Sequence, residues 1–371
     1  MKDSGIIVSV LAAVMVWASL CPAELQVSRR VFGTTDDGQD VHLFTLSNSN
    51  NLSARIMTLG ATLIGMDVPD RQGTVRNVTL HLDTLDDYLK GHPLFGSIVG
   101  RFANRIKDAR FTIDGKRFEL SKNAGPNHIH GGRQGFQKVH WTGQTIRASD
   151  YVGVRLVHTS PDGHAGYPGE LSVQLMYELN DRNELIMEFH ALTTKPTHVN
   201  LTNHAYWNLS GAGVGNVLAH RIHINADHYL PTDERVVPTG TIKPVIGTPL
   251  DFRTAQAVGD RIGDLPRGYD HCFVLNKAVP NELSLAARVI DPGSGRIMEV
   301  FTTQPGVQLY TAYGLSNRFK SAAGTYDRFH GLCLETQHFP NSPNQPNFPS
   351  TLLRPGETYR HRVIHRFSID K

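Results

Sequence analysis

Alternation with a period of two residues is the strongest constraint on what this chain can fold into. In "ELSVQLMYEL" (170–179), Leu171, Val173, Leu175, Tyr177 and Leu179 alternate with mostly polar residues. That is the signature of a strand with one buried face. "ELIMEFHAL" (184–192) does the same with Leu185, Met187, Phe189 and Ala191, and "HRVIHRFSI" (361–369) with Val363, His365, Phe367 and Ile369. "RFTIDGKRFEL" (110–120) predicts a hairpin turning at Asp114-Gly115. No long stretch has helical periodicity, and "TLDDYLKG" (84–91) amounts at most to a short helix. With 34 glycines and 20 prolines punctuating many short strands, the expectation is an all-β chain folded as a large β-sandwich.

No repeat, low-complexity tract or long linker divides the 371 residues, so a single domain is expected over 24–371, large sandwiches often being undivided. The net charge of +3 comes without a dense Lys/Arg run, which argues against nucleic acid as a partner. The first 23 residues differ from the rest. A lysine, an apolar or small stretch from Gly5 to Leu20 and then "CPA" predict a signal peptide cleaved after Ala23 and an exported protein, with no stable membrane partner. The stretch is short for a membrane span. "ASLC" lacks the small residue that usually precedes a lipid-modified cysteine, so anchoring at Cys21 is disfavoured. Cys272 and Cys333 would then remain, enough for one disulfide or two buried thiols but not for a disulfide scaffold. Asn-x-Ser/Thr sequons occur at Asn51, Asn77, Asn200 and Asn208.

Polar residues gather in places where a core has no use for them. "TNHAYWNLSG" (202–211) sets His204 between asparagines; if extended, His204, Tyr206 and Asn208 share one face and Ala205, Trp207 and Leu209 the other. "VGRFANRI" (99–106) joins Asn104 to Arg105, and "GPNHIHGG" (125–132) puts His128 and His130 on one strand face. "SPDGHAGYPGEL" (160–171) is a glycine-rich loop. "GYDHCF" (268–273) supplies Asp270, "TTQPGVQLYT" (302–311) Gln308, and "CLETQHFPNSPNQPNFP" (333–349) Glu335 before a proline-rich loop. Taken singly, each fits a structural role: a surface ion pair, a loop-capping histidine, a turn aspartate.

Taken together, and with "LLRPGETY" (352–359) near the end, these motifs resemble the aldose 1-epimerase (galactose mutarotase) family in order and spacing, from about residue 28 onward. The resemblance implies a β-supersandwich with an open sugar-binding cleft. It matches His204 to the family's general acid and Glu335 to its general base. Asn104, Arg105, His130, Asp270 and Gln308 match sugar-contacting positions, and Tyr206 is expected to line the cleft. The implied partner is a free aldose, a small molecule, with no cofactor and no metal. An exported N-terminus departs from the cytoplasmic role typical of many members.

These residue types suit the reaction. Interconverting anomers requires the C1 hydroxyl of a hemiacetal to lose a proton while the ring oxygen gains one. A carboxylate of unperturbed pKa about 4.3 accepts the first, and an imidazole of unperturbed pKa about 6.5 donates the second. Asp270, Arg105, Asn104 and Gln308 can hold hydroxyls, while Trp207 is expected to face the core. Four rival readings fit these residues less well. The 19 histidines, with pairs at His128/His130 and His220/His223, suggest a metalloenzyme, but metal sites need three or four converging ligands. A glycosidase working through Asp270 and Glu335 leaves His204 unexplained. A non-catalytic sugar binder would not need both acid and base, and a hexose-6-phosphate epimerase should carry an Arg cluster for phosphate.

Overall fold

A computed structural model describes residues 24–370; the expected signal peptide and Cys21 lie outside the described residues. Three antiparallel sheets organise the chain. The first is a five-stranded meander of Gln26–Thr34, Asp40–Ser47, Ser53–Met57, Thr62–Pro69 and Val75–Asn77. The second has nine strands, in the order Thr142–Arg147, Tyr151–Ser160, Leu171–Asn180, Glu184–Thr193, Tyr359–Ile369, Arg296–Thr302, Ser284–Ile290, Arg221–Ile224 and Gln256–Ala257. The third runs Lys243–Pro244, His228–Tyr229, Asp270–Val274, Gly306–Tyr310, Cys333–Gln337.

The alternation in the sequence is the alternation of burial. Leu171, Val173, Leu175, Tyr177, Leu179, Leu185, Met187, Phe189, Ala191, Val363 and Phe367 all enter one hydrophobic cluster. That cluster also takes Phe44, Leu46 and Ile56 from the first sheet and Phe273, Val307, Leu309 and Leu334 from the third. A common apolar interior of this kind is what holds a sandwich together. The expected hairpin forms as Arg110–Ile113 against Lys116–Glu119, with Asp114 at φ 50° and Gly115 at φ 77°, the left-handed pair a two-residue turn demands. Among the described residues the one α-helix is Leu85–Leu89, capped by the Thr84 side chain, which accepts from the Asp87 amide. No helix among the described residues is long and apolar enough to cross a membrane.

The third sheet positions the chemistry. Its Leu334, Leu309, Val307 and Phe273 point into the core. Strict alternation therefore sends Cys333, Glu335 and Gln337, Gln308 and Tyr310, and Asp270 and Cys272 to the opposite face. Pairing puts Gln308 directly across from Glu335, and Tyr310 across from both Asp270 and Cys333. Both cysteines are buried free thiols.

Candidate active site

"TNHAYWNL" is wedged between two parts of the chain that satisfy its backbone. Thr202–Asn203 pairs with Ile98–Val99. The His204 amide donates to the Ser97 carbonyl, and Trp207 exchanges both backbone bonds with Leu332. The pairing at Leu332 lays His204 beside the start of the strand Cys333–Gln337. Alternation holds: Ala205, Trp207 and Leu209 join the main core, and Tyr206 goes to a second cluster with Phe95 and Cys333. Trp207 is 1% exposed and packs on His365 and Phe367 at 5.0 and 5.8 Å between ring centroids, so it is core, as expected. Both faces of the segment are buried, from His204 to Leu209.

His204 and Glu335 come together. Nε2 of the imidazole lies 3.6 Å from Oε1 of the carboxyl, and both residues are buried. The imidazole is stacked on Tyr206 at 5.1 Å and meets the His130 ring edge-on at 5.3 Å. Glu335 Oε2 and Gln308 Oε1 are buried without a protein partner. Orphaned acceptors on one face are what a bound polyol would satisfy.

The other expected positions surround this pair. Gln308 Nε2 donates to Asp270 Oδ1 at 2.6 Å, and Arg105 Nη1 lies 3.7 Å from Asp270 Oδ2. Arg105 and Asp270 keep 18% and 26% of their side-chain surface, so the site opens at this end. Asn104, at φ 59°, turns its Oδ1 back to accept from the Arg105 amide, and its own amide donates to His130 Nδ1. The proline-rich loop braces this segment: the Asn341 amide donates to the Arg105 carbonyl, and Asn341 Oδ1 accepts from the Lys107 amide. "SPDGHAGYPGEL" instead folds around buried Arg101, whose guanidinium donates to the carbonyls of Ser160, Pro161, Pro168 and Gly169.

Two sequence expectations need correction. His128 and His130 do not share a strand face. The strand ends at Ile129 and His130 adopts φ 50°, which breaks the alternation. His128 turns to the Tyr167 hydroxyl, 2.9 Å from its Nε2, while His130 faces His204. Each member of the pair is also pushed toward its neutral form. Burial pushes the Glu335 carboxyl up to about 8, with the Asp270 charge adding to the effect and Arg105 opposing it. Burial pushes His204 down to about 4, its own carbonyl opposing. Desolvation penalises the charged form of each group. Unperturbed values therefore do not apply here.

His130, His204 and Glu335 have donor atoms within 4.8 Å of one another, a spacing a cation could use. His130 fits that role poorly. Its Nδ1 already accepts from Asn104, and burial together with the neighbouring His204 holds it neutral. Nε2 then carries the ring proton, and neither nitrogen offers a free lone pair to a metal. As an N–H donor beside the pair, His130 suits a hydroxyl.

Two neighbours escaped the sequence reading. Cys333 Sγ lies 3.6 Å from His204 Nδ1, and Tyr310 meets the His204 ring edge-on at 6.5 Å. Both were accessible in principle: each stands two residues from a recognised position on the same strand face, Cys333 before Glu335 and Tyr310 after Gln308. The sequons at Asn200 and Asn208 fall on fully buried side chains, and Asn208 Nδ2 is taken by backbone carbonyls.

Comparison with known proteins gives a consistent answer. The family profile described as Aldose 1-epimerase matches residues 42–366. Mouse galactose mutarotase is 46% identical over 348 residues, covering 93% of this chain and 99% of the mouse protein. Two solved structures superpose closely. An aldose epimerase homologue from C. elegans has a TM-score of 0.81 and 31% identity, over 89% of this chain and 99% of its own. Galactose 1-epimerase from Lactobacillus acidophilus has a TM-score of 0.83 and 28% identity, over 94% of this chain and 100% of its own.

Proposed function

The chain belongs to the aldose 1-epimerase family and is an isomerase that interconverts sugar anomers, and we propose that Glu335 and His204 carry its proton transfers on free hexoses of the glucose and galactose type. The observation that carries this reading is the buried contact of His204 Nε2 with Glu335 Oε1, beside an Oε2 that no protein group satisfies.

A pair holding one proton has two arrangements, an imidazolium facing a carboxylate or a neutral imidazole facing a carboxylic acid. With the cyclic sugar bound, Glu335 as carboxylate takes the C1 hydroxyl proton while His204 as imidazolium protonates the ring oxygen. The C1–O5 bond breaks and the aldehyde forms. These two transfers convert the ionic arrangement of the pair into the neutral one. Rotation about C1–C2 presents the other carbonyl face, and the reverse transfers close the opposite anomer. Desolvation favours the neutral arrangement, which is the one that accompanies the open-chain sugar. The burial that perturbs both groups thus favours the intermediate over the ring forms.

The remaining groups orient the substrate. Asp270 accepts from sugar hydroxyls while Gln308 and Arg105 fix its two oxygens. His130 donates, and Asn104 and Arg105 form the wall behind it. The test is Glu335→Gln, which keeps the shape and removes the proton acceptor. Turnover in NMR anomer exchange should fall about 10²–10⁴-fold, roughly 3–5 kcal/mol of barrier, while calorimetric sugar binding persists. Normal turnover would remove Glu335 from the mechanism.

A further inference from the structure

One strand grips both nitrogens of the His204 ring. Glu335 faces Nε2 at 3.6 Å, and Cys333, two residues earlier on the same strand face, faces Nδ1 at 3.6 Å. Side chains at i and i+2 on a strand stand about 6.5–7 Å apart, enough to straddle an imidazole edge. Tyr206 lies flat on the ring and His130 meets it edge-on, so the ring has no free direction to turn.

The reaction sets a demand on Nδ1. An imidazolium that gives its Nε2 proton to the sugar and later recovers it must hold the Nδ1 proton throughout. Otherwise the neutral ring would rest in the wrong tautomer, with Nε2–H and no way to lose it. Nδ1–H therefore needs an acceptor. Resting on the reading of His204 as the acid, we propose that Cys333 is a positioning residue whose Sγ accepts the Nδ1–H of His204, making Nε2 the nitrogen that gives and recovers the proton.

A thiol suits this place better than the carboxylate found in hydrolytic triads. A carboxylate at Nδ1 stabilises the imidazolium and makes it a weaker acid. Sulfur is a weak, uncharged acceptor. Burial, reinforced by the Glu335 and Asp270 charges, keeps the Cys333 thiol from ionising, so no thiolate forms to stabilise the cation. The imidazolium stays strong enough as an acid to protonate a weakly basic ether oxygen.

Cys333→Ser keeps an acceptor, and Cys333→Val, one methyl larger, has none. In 15N NMR at pH 7, the wild type and the Ser variant should show His204 as the Nδ1–H tautomer, with turnover within about threefold of each other. The Val variant should show a mixed tautomer, with turnover lower by about fivefold to tenfold and an unchanged KM. A wild-type ring found as Nε2–H overturns the proposal, as does a Val variant with wild-type tautomer and turnover, or a Ser variant as slow as Val. Should the Val variant not fold, the wild-type and Ser spectra still decide. His204→Asn separates the two levels: if it turns over normally the acid assignment fails, whereas an inactive His204→Asn beside a normal Val variant removes Cys333 alone.

Discussion

The pH profile of kcat/KM reports directly on burial at the acid–base pair. The active pair holds one proton. It loses that proton as pH rises through the raised value of Glu335, about 8, and gains a second only as pH falls through the lowered value of His204, about 4. Activity should therefore form a plateau between these limits, the two limbs belonging to the pair as a unit. With unperturbed values of about 4.3 and 6.5, the plateau would close near neutrality, and only about 3% of the pair would hold one proton at pH 8. With the folded values about half does, so the rate at pH 8 taken relative to its own plateau differs roughly fifteenfold between the two cases. The assay is anomer exchange by NMR across pH 3–10, extrapolated to zero buffer because buffers catalyse the same reaction. Asp270→Asn adds a second reading. The Asp270 charge helps to raise Glu335, so its removal should move the alkaline limb down whatever it does to the amplitude. An alkaline limb near 6.5 in the wild type would refute the argument that desolvation governs the pair.

Three further outcomes are expected. Exhaustive chelation should leave turnover unchanged, since His130 has no free lone pair for a cation; activity lost and then restored by one particular divalent metal would reverse that reading. Trp207→Ala should cost about 3–5 kcal/mol in denaturant unfolding, yet alter sugar affinity by less than about threefold, because the indole packs on His365 and Phe367 away from the acid. We also propose export: intact-mass measurement on protein from its native host should give a chain starting near Glu24, and a cytoplasmic chain retaining Met1 would contradict it. Removing residues 1–23 leaves every described strand, the earliest beginning at Gln26.

The sequence was most legible where geometry is local. Period-two runs located the strands Leu171–Asn180, Glu184–Thr193 and Tyr359–Ile369 and their inward faces, because strand alternation does not depend on distant residues. The same rule assigned Trp207 to the core. It failed at His130, where a left-handed φ redirects the side chain one residue ahead of the turn that Gly131 and Gly132 mark. Motifs pointed to the candidate site residues, but not to their contacts. The bond from Gln308 to Asp270 spans 38 positions and the Cys333 contact with His204 spans 129, separations that only the folded sheet order closes. Protonation was the least legible property. Desolvation belongs to the surroundings a group acquires on folding, so the ordinary values of Glu335 and His204 do not carry the shifts that burial imposes.

The order of the nine-stranded sheet also has a consequence for how the chain reaches its native state. Tyr359–Ile369, eleven residues long, lies between Glu184–Thr193 on one side and Arg296–Thr302 on the other. It is the seam joining the strands from 142–193 to those from 221–302. Until residues 359–369 have been synthesised, the flanking edges are unpaired rows of amides and carbonyls, open to pairing with other chains. Closing the seam requires contacts between residues more than 150 positions apart, such as Glu184 with Arg366, the kind of non-local pairing that makes β-folding slow. Nascent chains of this protein therefore pass through an interval in which two half-built sheet edges stand open, the condition under which β-rich intermediates are prone to aggregate.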